Sequence, residues 1–442
     1  MRTWDARLLR MTVASVLAGA MIGVVGGAFR WCLAQAERQR DAMVVWSHGR
    51  PFLGWIVPVV VALIAVAVAR YLVLRFAPEA AGSGIHRVEA IMAGQIEPGS
   101  NIVLPVKFFG GLLSLGSGMA LGREGPTVQM GATIGHIVAP WLVREKDDRR
   151  LVLAAGAGAG LAVAFNAPVG GSVFVFEELT TSFTPWLLVA TLSAATFAVA
   201  VMRWMIGNQY VFFVLPGSAP SGVIEWYFLM LGGLLGVAGA AYNALSLWLL
   251  DLTEKLSKYP AVARAAFIGA VVGLVAFFAP ALVGSGDTLT QSILSNKLPL
   301  HALGMVFVIR FVLGPWSYAA ETPGGMFAPL LLLGAAFGGL FGGLVQHFAS
   351  GLGVSVVEFA IVGMVALFAA SVRAPLTGIV LAIEMTGRGD LTLQMLAAAL
   401  GAMLVAMLLK SPPIYQSLRE RMLLQEGRQT VASSEVAADA TR

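Results

Sequence analysis

The chain has 442 residues, of which 58% are hydrophobic and 12% charged, with a mean hydropathy of +0.81. Soluble globular chains carry about 25% charged residues, so a water-soluble fold is excluded and lipid must solvate much of this surface. The net charge of +5 is spread over short segments between apolar runs, the pattern of membrane-flanking loops and not of a nucleic-acid surface, and the single cysteine, Cys32, excludes an intramolecular disulfide and a cysteine-built metal cluster.

Uncharged stretches follow one another along the chain: Met11–Phe29, Phe52–Ala69, Phe108–Gly122, Pro126–Val143, Leu151–Phe176, Pro185–Met202, Trp226–Leu250, Ala265–Gly286, Thr322–Gln346 and Leu391–Leu409. The first reads as a membrane helix and not a signal peptide, because charged residues follow it without a convincing small-residue cleavage site. A helix crosses the hydrocarbon core in about 20 residues. Several stretches fit; others are short or interrupted by Gly and Pro, which predicts tilted, broken and re-entrant helices. Non-helical backbone survives at membrane depth only where protein or a wet cavity surrounds it, so the broken segments point to a binding site. The transport domain is expected to span residues 1–428, with a polar tail, 429–442, expected to be disordered.

Two halves, roughly residues 50–200 and 255–410, repeat each other. Pro126, Gly131, Ala132 and Gly135 recur as Pro329, Gly334, Ala335 and Gly338; Lys107-Phe108 recurs as Arg310-Phe311 at the same offset. Further on, Gly156, Ala167-Pro168, Gly171 and Glu177 recur as Gly363, Ala374-Pro375, Gly378 and Glu384. Transporter repeats place the substrate at their interface. The spacing leaves parallel and inverted halves both open.

Three segments carry candidate chemistry. Gly122-Arg123-Glu124-Gly125-Pro126 sets a glutamate and an arginine between glycines in apolar sequence. Pro126 suits a first helical turn, with Glu124 just before it. Helix starts present unpaired N–H groups and a positive dipole end, where an anion binds without a fixed cation. An acid at that place occupies the anion's site when ionised and leaves it when protonated, which links proton to anion movement. The plainer reading is a helix cap or a pair with Arg123. Gly82-Ser83-Gly84 offers a hydroxyl and adjacent N–H groups, or else an ordinary serine cap. Thr322 to Pro329 offers the N–H groups of Met326 and Phe327, or else a plain loop.

Together GSGI (82–85), GREGP (122–126) and GGMFAP (324–329), with VKFFGG (106–111), FNAPVGG (165–171) and RAPLTG (373–378), resemble the signature motifs of the CLC family of chloride channels and chloride/proton exchangers, in its prokaryotic type without C-terminal regulatory domains. The resemblance covers about residues 8–420. It implies an all-α polytopic membrane fold of two inverted repeats, a homodimer with one anion path per subunit, and no cofactor or metal. It also implies residue roles: Ser83 and Tyr415 contact chloride through hydroxyls, and Met326 and Phe327 through N–H groups. Gly82, Gly84, Arg123 and Gly125, in the same motifs, are further expected chloride-binding residues. Glu124 matches the external gating acid, and Glu178, second of the pair Glu177-Glu178, the internal proton-transfer acid of exchangers. The alternative is that this pair only solvates a helix end. Contact through dipoles alone keeps binding weak enough for turnover.

His86 and Glu321 depart from the family pattern, the amphipathic helix that precedes the first long helix in relatives is expected to be missing or minimal, and no tandem nucleotide-sensing domain is expected. The expected function is chloride/proton antiport, with a passive, proton-gated chloride channel as the alternative. Ser83 near His86 lacks the nucleophile elbow and third member of a hydrolase, so an enzyme is not expected. Arg2, Arg7, Arg10, Arg144–Arg150 and Arg419–Arg428 place both termini in the cytoplasm of a cell inner membrane. Segments Leu151–Phe176 and Ile361–Met385 are expected to meet the partner subunit.

Overall fold

The computed structural model describes residues 2–50, 52–208, 211–215, 224–348 and 355–440, of which 2–5, 224 and 428–440 by backbone alone. Seventeen α-helices make up the described chain. The first half holds α1 (Arg2–His48), α2 (Ile56–Phe76), α3 (Ile85–Met92), α4 (Val103–Gly116), α5 (Glu124–Leu142), α6 (Lys146–Phe165), α7 (Pro168–Phe174) and α8 (Pro185–Ile206). The second holds α9 (Ile224–Lys255), α10 (Ala261–Phe278), α11 (Asp287–Leu294), α12 (Leu300–Tyr318), α13 (Phe327–Phe348), α14 (Val356–Val372), α15 (Pro375–Thr386) and α16 (Thr392–Leu408), and α17 (Ile414–Ala440) closes the chain. Eight helices are long and apolar enough to cross a membrane. At 1.5 Å per residue the 47 residues of α1 reach about 70 Å, more than twice the hydrocarbon thickness. By contrast α3, α7, α11 and α15 have 8, 7, 8 and 12 residues, too few to cross.

Among the backbone hydrogen bonds between the halves, one pair is reciprocal. Gly122 and Gly325 exchange N–H···O bonds of 2.7 Å in both directions, as an antiparallel bridge. They stand at equivalent positions, two residues before the starts of α5 and α13. Equivalent residues that pair antiparallel lie on a local two-fold, so the chain runs in opposite directions through the two halves at this point. The bridge thus relates the halves by a two-fold axis.

Small residues let the central helices touch. A methyl on Gly131 of α5 would lie 2.1 Å from the Gly156 carbonyl of α6, and one on Gly334 of α13 would lie 2.2 Å from the Gly363 carbonyl of α14. Lipid gives helices no hydrophobic reason to associate, so such close backbone contact is what holds them. The repeat extends to capping. Glu177 accepts from the N–H groups of Leu376 (3.0 Å) and Thr377 (2.6 Å) at the head of α15. Glu384 accepts from Val169 (3.1 Å) and Gly170 (2.7 Å) at the head of α7. Each half thus caps a helix of the other, and Glu177 is not a merely solvated acid.

One expectation is corrected. Apart from half-buried Leu151, residues 151–165 of α6 are buried, and from Phe359 to Val372 α14 is buried throughout. These segments are used inside the protomer, where small residues allow close packing. Of the stretches expected to face a partner, the helix heads Val169 (48% exposed) and Leu376 (55%) remain open. The backbone of α17 is helical to Ala440.

Candidate functional site

Ser83, Glu124 and Phe327 come from three chain segments, and the local two-fold brings them together. Gly82 (φ 60°) and Gly84 (φ 84°) place the backbone in the left-handed region on either side of Ser83, a conformation glycine adopts without strain. Gly84, not Ser83, is the N-cap of α3, and no side chain caps that helix, so the serine-cap reading fails. Lys107, fully buried, donates from Nζ to the carbonyls of Gly82 (2.6 Å) and Ser83 (3.2 Å). It thereby ties the loop from the side opposite its N–H groups.

Glu124 occupies the first position of α5, one residue later in the helix than Pro126 alone suggests. It is 1% exposed. Its carboxylate folds back over Gly122: a Cβ there would lie 1.9 Å from Oε2, and one on Gly325 would lie 3.5 Å from it. The glycines of the two motifs thus leave room for the acid. It sits among backbone amides that include that of Ala328. A Cβ on Gly125 would stand 2.5 Å from Ser83 Oγ, so the serine hydroxyl packs directly on the backbone that follows the acid.

Tyr415 lies in the first turn of α17 and is fully buried. Its ring lies 6.0 Å from that of Phe327, nearly parallel to it. Phe327 is also held by Phe165, Phe174 and Phe368. The hydroxyls of Ser83 and Tyr415 and Oε2 of Glu124 are all buried without a hydrogen-bond partner. The Tyr415 hydroxyl faces the Ser83 side chain, with Glu124 and Glu178 within electrostatic reach. Buried polar atoms are nearly always satisfied, and three orphans around one point are the mark of a site for a polar guest. Met326 and Phe327 are buried at the start of α13, where helix N–H groups face the same point. Among the described residues no group of acids, histidines and cysteine could hold a metal.

Arg123 behaves differently from its motif neighbours. Its Nη1 pairs with Asp287 at 3.0 Å, and its Nε donates to the Ala164 carbonyl at 3.1 Å. Its guanidinium therefore does not pair with Glu124, and that plainer reading of the motif fails. Glu178 lies on a π-helical turn, Val175–Leu179, that extends α7. Such turns are rare and often functional. Its carboxyl meets that of Glu89 on α3, which faces Arg419 of α17 at 3.7 Å. His86 and Glu321 line a cavity of about 290 Å³ that adjoins Gly82. There Arg70 pairs with Glu321, and Arg87 with Glu426 at 2.8 Å.

Sequence reasoning missed Glu89, Tyr318, whose hydroxyl accepts from the Ser83 N–H at 3.3 Å, and Asp287. Only the last had a readable signal: Gly284-Ser285-Gly286-Asp287 repeats Gly82-Ser83-Gly84-Ile85.

A polytopic bundle of inverted halves, with broken helix ends converging on hydroxyls and a buried acid, is the architecture of a membrane ion transporter. The voltage gated chloride channel family model matches residues 65–407, and this chain belongs to that family, the CLC family. It is 38% identical over 93% of its length to the H(+)/Cl(-) exchange transporter ClcA of Vibrio parahaemolyticus serotype O3:K6 (strain RIMD 2210633), covering 89% of that protein. It is 35% identical over 98% of its length to the transporter of the same name from Cronobacter sakazakii (strain ATCC BAA-894), covering 94% of it. Among solved structures it matches a slow cyanobacterial Cl-/H+ antiporter with a TM-score of 0.90 at 32% identity, over 95% of this chain and 99% of that one. A eukaryotic CLC transporter matches with a TM-score of 0.77 at 24% identity, over 94% and 74% of the two chains, and shares the fold.

Proposed function

We propose that the protein exchanges chloride for protons across a membrane, with Glu124 and chloride alternating in one pocket of peptide dipoles and hydroxyls. The observation that carries this reading is the Glu124 carboxylate, buried over Gly122 with Oε2 unpartnered, while Ser83 packs on the next residue, Gly125. Ionised, it fills the end of the anion path; protonated, it loses its attraction for the dipoles and swings clear. Ser83, Tyr415 and the N–H groups of Met326 and Phe327 then hold the anion, with Gly82, Gly84 and Gly125 allowing the backbone to approach. Arg123 acts from outside this shell.

Glu178 supplies the second proton site, displaced from the anion path towards α3 and α17. Its carboxyl contact with Glu89 lets the two share one proton, since like charges so close do not both ionise. Water carries the proton between Glu178 and Glu124, past the Tyr415 hydroxyl that lies near both. The names of the relatives favour exchange over a passive channel. The positive-inside pattern supports an inner-membrane location with both termini cytoplasmic, and the exposed heads of α7 and α15 support a homodimer.

The test is reconstitution in liposomes with a chloride gradient. The expected result is uphill proton movement driven by chloride alone, abolished in Glu124→Gln while anion flux persists. Chloride flux without linked protons in the unaltered protein would overturn antiport; uphill protons in the variant would remove Glu124 from it.

A further inference from the structure

The Ser83 loop has a double on the other side of the local two-fold. Each loop follows a Pro-initiated 3-10 turn, Pro78–Ala80 and Pro280–Leu282. Gly284 (φ 76°) and Gly286 (φ 92°) repeat the left-handed backbone of Gly82 and Gly84. An eight-residue helix follows each loop. Arg310 repeats Lys107: it is buried and donates to the carbonyls of Gly284 (2.7 Å) and Ser285 (3.0 Å). One position breaks the match. Where the first loop continues into buried, apolar Ile85, the second continues into half-buried Asp287, paired with Arg123.

Arg123 is the cation next in sequence to Glu124. The charged groups facing it and Asp287 are Glu37, Arg30 and Arg40 of α1, Glu124 of α5 and Arg310 of α12. Arg30 is engaged by the Val163 carbonyl and Arg40 by Asp41. When Glu124 swings clear of the pocket, the guanidinium of Arg123 is the cation beside it, and an ionised Glu124 competes with Asp287 for that group. We propose that Asp287 is a positioning residue for exchange, which holds Arg123 so that a displaced Glu124 is not trapped there as a carboxylate. This inference rests on the antiport reading and names the residue that sets its pH range.

With Asp287 neutralised, Arg123 is free to stabilise ionised Glu124. Proton loading of the gate then requires a lower pH. In Asp287→Asn liposomes the midpoint of the pH dependence of chloride flux should move down by about one unit, the scale of a cation gained within contact range. Protons moved per chloride should also fall. Asp287→Glu should restore both. Asp287→Ile, which installs the residue of the other repeat, should behave as Asn does and serves should the Asn variant fail to fold. In a Glu124→Gln background, Asp287→Asn should leave the pH profile unchanged. A wild-type profile in Asp287→Asn and Asp287→Ile, or a shift that persists without Glu124, would overturn the proposal. A purely structural role would lower thermal stability without moving the midpoint. If the unaltered protein shows no proton coupling, antiport fails, while the flux midpoints still decide the role of Asp287.

Discussion

At the scale of single residues, the site works by leaving polar atoms unsatisfied. Ser83 and Tyr415 present buried hydroxyls without partners, and these are donors to an anion. Hydrogen bonds to charged groups contribute about 1.5–3 kcal/mol, so Ser83→Ala should weaken chloride binding roughly tenfold or more in calorimetric titration; unchanged affinity would place the anion elsewhere. Glycine-flanked polar residues in apolar sequence single out Ser83 and Glu124, whereas Tyr415 enters only through the family resemblance. The side-chain direction of Arg123 was not legible. Its partner, Asp287, is remote in sequence, and only the fold brings the two to 3.0 Å. The role of Glu177 was equally hidden, since a capping carboxylate and a solvated one look alike until the head of α15 is seen against it.

At the scale of elements, α5 with α6 and α13 with α14 form two glycine-lined crossings related by the repeat. Proline, glycine and charged positions that recur together disclosed the repeat in sequence. The two-fold that relates the halves needed the Gly122–Gly325 bridge, because spacing is blind to direction. The crossings lack room for a methyl group: Gly131 faces the Gly156 carbonyl, and Gly334 the Gly363 carbonyl. Overpacking a tight contact costs about 1–3 kcal/mol. Gly131→Ala and Gly334→Ala should therefore each lower the thermal midpoint in detergent by several degrees, a scale set by the unfolding entropy. A change in one crossing only would contradict their equivalence. Helix α17 joins site to surface, as it holds buried Tyr415 in its first turn and carries Arg421, which pairs with Asp251 and Glu254 of α9.

At the scale of the whole molecule, composition alone gave the class, since no water-soluble packing could bury so apolar a chain. It could not give the contact between subunits. Apolar segments serve core, lipid and partner alike, and the apolar stretches of α6 and α14 belong to the core. The exposed heads of α7 and α15 predict a particle of two chains, so light scattering in detergent should give a protein mass twice 46.3 kDa; a single-chain mass would contradict the homodimer. The transport account treats the molecule as two opposed halves around one shared pocket, and linkage makes that testable. If chloride displaces the Glu124 carboxylate, chloride binding must favour the protonated acid, so proton uptake must accompany it. Calorimetric chloride titrations in two buffers of different ionisation heat measure that uptake directly. We predict net proton uptake in the unaltered protein and none in Glu124→Gln. Proton-free chloride binding in the unaltered protein, or equal uptake in both, would contradict the competition on which the account stands.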